Sequence, residues 1–129
     1  MNSLFVKAAL PNAFVFLMDY VSGHPPSSFD NALVATTDTC VAVGALPDSE
    51  GETSIAVVLG TFEPAEKLSL RYEGVLHVKG PYLSLVNAMN QELGSIRFDS
   101  AIANVQVWTD DPRVPSRIVF VVAPHDKYR

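Results

Sequence analysis

The residues of this chain that can do chemistry are carboxylates, three histidines and one thiol, and their spacing decides what each can do. The densest group is "PDSEGE", residues 47–52, where Asp48, Glu50 and Glu52 alternate with small turn-forming residues. Asp30 and Asp38 precede them. No Lys or Arg occurs from Ala8 to Glu66, a stretch that holds Asp19, Asp30, Asp38, Asp48, Glu50, Glu52, Glu63 and Glu66. From Lys67 to Arg129 the balance reverses, with eight bases against six acids. Two neighbouring carboxylates can run acid–base chemistry only in a cleft that pushes their pKa values apart. A calcium loop needs its ligands at an EF-type spacing, which residues 48–52 lack. A basic-free, acid-rich half is instead suited to meeting a positively charged surface, and the competing explanation is plain solubility.

The other groups carry less. "DDP" at Asp110-Asp111-Pro112 reads as a turn after a strand. His24, His77 and His125 have no ligand spacing among them and no Cys pair nearby, so no metal site is expected. Cys40 lies in the apolar alternation "TCVAVGAL", which predicts a buried, inert thiol, since activation needs a positive and partly exposed setting. No G-x-S-x-G nucleophile motif and no glycine-rich phosphate cradle occurs, so neither catalysis nor a cofactor is expected. An acidic chain whose aromatics are not interleaved with Lys and Arg is also a poor nucleic-acid binder.

The elements that must position these groups read as strands. Runs rich in Val, Ile, Leu, Phe and Tyr, bounded by Pro, Gly, Asn, Asp or Ser, predict strands at 13–20, 39–45, 53–60, 67–72, 75–79, 82–86, 95–99, 102–108 and 117–123. "KLSLRYEG" alternates Leu68, Leu70 and Tyr72 against Ser69, Arg71 and Glu73. "RIVFVVA" is apolar on both faces, the mark of a central strand covered on each side. "YLSLVNAMNQELG", residues 82–94, fits either a helix stopped by Gly94 or a strand followed by a loop. A short helical turn can begin near "SSFDNAL", capped by Ser28 or Asp30. Frequent turns without βαβ alternation predict an all-β, mainly antiparallel β-sandwich with Trp108, Phe120 and Ile55 in its core.

The 129 residues are 48% hydrophobic and 18% charged, the composition of a folded globular protein, and their length suits one domain over residues 1–129. The single cysteine excludes an intramolecular disulfide framework and fits a reducing, cytoplasmic setting. No apolar run approaches about twenty residues, so no membrane-spanning helix is expected. The N-terminal "MNSLFVKAALPNAFVFLMDYVSG" is broken by Lys7, Pro11-Asn12 and Asp19, which suits the start of the fold better than a signal peptide.

Taken in order, "FVFLMDY", "HPPSSFDNALVATTDTCVAVGALPDSEGETSIAVVL", "SLRYEGVLHV" and "IRFDSAIANVQVWTD" resemble the competence-associated nuclease inhibitors (the competence protein J group) and related immunity-type proteins. In that group, too, an acidic and alanine-bearing segment precedes an apolar strand, and a short "FD" stretch precedes the penultimate strand. The resemblance implies a compact β-sandwich that binds and blocks a nuclease and carries no catalytic residues. A nuclease presents a basic surface to its substrate, and carboxylates can stand in for phosphates there. The expected partner is therefore a basic protein such as a nuclease or toxin, met by Asp30, Asp38, Asp48, Glu50 and Glu52. The alternative is a small oligomeric β-domain that binds a small ligand or assembles an enzyme site between subunits.

Overall fold

The computed structural model describes residues 3–64 and 67–125; Glu66 of the acid-rich stretch lies outside them. The described residues form ten strands in chain order: β1 (Ser3–Ala8), β2 (Phe14–Met18), β3 (Val34–Thr37), β4 (Cys40–Gly44), β5 (Thr53–Leu59), β6 (Ser69–His77), β7 (Tyr82–Asn87), β8 (Glu92–Arg97), β9 (Ile102–Thr109) and β10 (Arg117–Pro124). The helical pieces among them are two 3-10 turns, Pro11–Ala13 and Asp48–Glu50. Two five-stranded sheets result, ordered β1-β5-β10-β9-β6 and β3-β4-β2-β7-β8. Every pairing is antiparallel except β5 with β10. The all-β, mainly antiparallel sandwich expected from the sequence is the fold. No helix among the described residues is long and apolar enough to cross a membrane.

The core lies between the sheets because each strand turns alternate apolar residues inward. Val15, Leu17, Val41, Val43, Leu83 and Leu85 come from one sheet and Ile55, Val57, Val105, Val107, Ile118 and Phe120 from the other, all at most 2% exposed. Each such side chain contributes roughly 1.5–3 kcal/mol when fully buried.

The outer faces are partly covered by the two long crossings. Residues 19–33 carry the chain from the end of β2 to the start of β3, and Phe29 stacks on Phe14 beside Phe16, Met18, Cys40 and Ala42. Residues 60–68 connect β5 to β6, and their Phe62 and Leu68 cover Val119, Val121 and Trp108. The doubly apolar β10 is accordingly a central strand covered on both faces.

Several expectations are corrected. Trp108 is half-buried on the outer face, not in the core, because Val105 and Val107 hold the inward positions of β9. The segments 67–72 and 75–79 are one strand, and Glu73-Gly74 is no turn. A bulge at Arg71 breaks the "KLSLRYEG" alternation: Leu70 lies opposite Trp108, while Tyr72 lies opposite Val107 and packs on the core. Of the two readings of residues 82–94 the strand followed by a loop holds and the helix does not: β7 ends at Asn87, the chain turns at Ala88–Asn90 with Asn90 at φ 61°, and β8 begins at Glu92, three residues before the expected 95. "SSFDNAL" forms no helical turn, since Asp30 and Asn31 adopt left-handed φ values of 50° and 65°. Strands β1 and β3 were not foreseen.

Candidate partner-binding site

Strand directions sort the carboxylates into two ends of the sandwich. One end gathers the starts of β2, β3, β5 and β10 and the finishes of β4 and β9. The loop from β4 to β5 is displayed there. Pro47 opens it at φ −57°, the Glu50 N–H donates to the Pro47 carbonyl (2.9 Å), and Gly51 closes the turn at φ 132°, which favours glycine. The Leu46 N–H donates to Pro115 O (3.0 Å) and the Ser54 N–H to Ser116 O (2.9 Å), so the β9–β10 loop anchors both flanks. Asp48, Glu50 and Glu52 are all exposed on this anchored loop.

Asp30 belongs to the same end. It lies in the turn closed by the Ala32 N–H to Phe29 O bond, just before Leu33, whose carbonyl accepts from Gly44 at the finish of β4. Asp38 does not. It occupies the β3–β4 turn at the opposite end, with its carbonyl accepting the His77 N–H (2.8 Å). The five residues of β4 separate it from Asp48 by roughly 17 Å at about 3.3 Å per residue. The structure thus brings four of the five carboxylates to one end and leaves the fifth at the other. Among the described residues the one ion pair is Arg97–Asp99 (3.1 Å), exposed on both sides, so none of the five is neutralised by a neighbour.

Among the described residues, Asp19, Asp110 and Asp111 are the carboxylates that accept backbone N–H groups across a loop or between elements. Asp19, only 6% exposed, accepts from the Val21 N–H (3.0 Å) and Ser22 N–H (3.4 Å) through Oδ1 and from the Gly80 N–H (3.0 Å) through Oδ2. It ties the end of β2 to the loop before β7. Asp110 accepts from the backbone of Ser116 (3.0 Å) and Arg117 (3.1 Å) and from the Ser116 hydroxyl (2.7 Å). Asp111 Oδ2 accepts from the Val114 and Arg113 N–H groups, both at 2.8 Å, and these bonds hold its carboxyl below the ordinary 3.8. The "DD" pair is the turn device expected of it. The role of Asp19 was missed, because the Gly80 N–H that engages it lies 61 residues away.

Cys40 is buried, as expected, and desolvation pushes its thiol up to about 12. His24 and His77, distant in sequence, line one pocket of about 510 Å³ with Thr39 and Lys79, and no carboxylate lines it. His125 pairs with Asn104 (2.9 Å). No group of three metal-ligating side chains occurs among the described residues.

No family model matches the chain, and no curated protein matches it by sequence. Two solved structures share its fold. One is ComJ of Bacillus subtilis, described as the inhibitor of the DNA degrading activity of NucA, with a TM-score of 0.71 and 12% identity over 97% of this chain and 96% of that one. The other is crocagin biosynthetic gene J, with a TM-score of 0.56 and 9% identity over 97% of each chain. The resemblance to the competence protein J group therefore holds at the level of fold.

Proposed function

We propose that this protein is an inhibitor that binds and blocks a basic partner such as a nuclease. The observation that carries the reading is the likeness to the nuclease inhibitor ComJ along nearly the whole chain. The charge layout supplies the mechanism. Asp48, Glu50 and Glu52, with Asp30 behind them, offer carboxylates that no ion pair among the described residues neutralises, at one end of a rigid sandwich. A nuclease surface built for phosphates would meet acceptors of the same sign and hydrogen-bonding habit there. Asp38, at the far end, would act only on a partner large enough to wrap the molecule, so it takes the smallest share. Display on an anchored loop suits this role, since little conformational freedom is lost on binding.

The direct test is a DNA-cleavage assay with a basic nuclease co-purified from the source cell. Addition of the chain should suppress cleavage at low salt and less so at high salt, because exposed charges separated by more than about 8 Å are largely screened at 0.15 M ionic strength. Unchanged cleavage at every salt concentration, with all nucleases retained by the chain, would overturn the reading.

A further inference from the structure

The outer face of the β1-β5-β10 sheet is only half covered by its own chain. Phe62, Leu68 and Trp108 roof the side toward β9. The side toward the edge strand β1 is an open trench of about 270 Å³. Its shape follows from residue size: β5 presents the short side chains Ser54 and Ala56 outward, while the flanking strands present Lys7 and Phe5 on one side and Arg117 and Val119 on the other. The register sets these in two rows across three strands. Lys7, Ser54 and Arg117 form a polar row with a cation at each side; Phe5, Ala56 and Val119 form an apolar row beside it. Phe5 is 75% exposed. Among the described residues neither Lys7 nor Arg117 has an ion-pair partner.

We propose that this trench binds a small amphipathic carboxylate, a medium-length alkyl or an aryl acid. Its apolar body lies on Phe5, Ala56 and Val119, and its carboxylate sits between Lys7 and Arg117. Two unpaired cations framing a short polar row complement one anionic head group, and Arg117 can engage a carboxylate with two parallel N–H bonds. The adjoining apolar row gives the body a surface to leave water on. The inference stands apart from nuclease inhibition, which uses the acidic loop.

Decanoate and decan-1-ol serve as probes, titrated into the full chain by calorimetry. The fluorescence of Trp108, the one tryptophan and paired directly with Val119, is a second readout. Decanoate should bind one per chain with a Kd below about 1 mM, and decan-1-ol about tenfold more weakly, the effect of one lost charge-assisted contact. Ala56→Phe, which fills the trench, should abolish binding of both. Lys7→Gln with Arg117→Gln, at two exposed positions, should weaken decanoate about tenfold and leave decan-1-ol unchanged. Should Ala56→Phe fail to fold, the double Gln variant alone decides. Absence of decanoate binding, equal affinity for the two probes, or decanoate affinity unchanged in either folded variant would overturn the proposal.

Discussion

Two short acidic stretches of this molecule, "DSEGE" and "DDPRVPS", begin alike and have opposite fates. Asp48, Glu50 and Glu52 project from an anchored loop, and no donor among the described residues is bound to their carboxylates. Asp110 and Asp111 accept five hydrogen bonds between them from residues 113–117. The difference lies in the backbone. The 48–50 turn satisfies its N–H groups with carbonyls, leaving the acids free. The β9–β10 loop has N–H groups that only side chains reach, so its acids close the loop. A carboxylate is therefore available to a partner when the local backbone has no use for it.

Removing a carboxylate that the fold engages should have the largest effect on stability. Asp19→Ala leaves the Val21, Ser22 and Gly80 N–H groups without their acceptor in a nearly buried site. A loss of about 2–4 kcal/mol is expected in denaturant unfolding, since hydrogen bonds to charged groups contribute about 1.5–3 kcal/mol each and are not additive. A loss under about 0.5 kcal/mol would mean that water replaces Asp19 freely. Asp110→Ala, half-buried with three donors, should lose about 1–3 kcal/mol by the same measurement. Cys40→Ser places a hydroxyl in an apolar site and should lose about 1–3 kcal/mol. In the parent the thiol should resist thiol reagents in the native state and react only on unfolding.

Asp111 makes stability depend on pH. Its folded pKa is depressed, so its contribution to stability is fully present above the ordinary 3.8 and is lost as pH falls through the lower folded value. The stability gap between the parent and Asp111→Asn should therefore shrink below that pH in thermal melts. A gap that widens on acidification would contradict the assignment. The smallest effect belongs to the exposed loop: replacing Asp48, Glu50 and Glu52 by Asn, Gln and Gln should change stability within about 0.5 kcal/mol.

The sandwich was legible where strands carry long apolar runs. Strands β2, β4, β5, β7, β9 and β10 stand within a residue or two of their expected bounds, because inward Val, Ile, Leu and Phe mark them. The edge strands were not. In β1, Phe5 faces outward and hides the inward Leu4, Val6 and Ala8. In β3, "VATT" is short and only half apolar. Trp108 was expected in the core as part of a strand-length apolar run, whereas its position within β9 turns it to the outer face. Gly74 looked like a turn, yet it continues β6 past the bulge. Of the site, the local pair Asp110-Asp111 was readable as a turn. The separation of Asp38 from Asp48 depends on which end each strand reaches, and the engagement of Asp19 depends on Gly80, so neither could be read from neighbours in the chain.

Whether the acids at one end of the sandwich hold a basic partner, as proposed, is decided by immobilising the parent chain and the Asp48→Asn/Glu50→Gln/Glu52→Gln variant and passing source-cell extract over both at low and high salt. A control variant with Glu63, Glu73 and Asp99 neutralised carries the same change in net charge elsewhere. The parent and the control should retain a basic nuclease at low salt and release it at high salt, and the loop variant should retain little at either. Equal retention of that nuclease by the loop variant and the parent at every salt concentration would contradict the account.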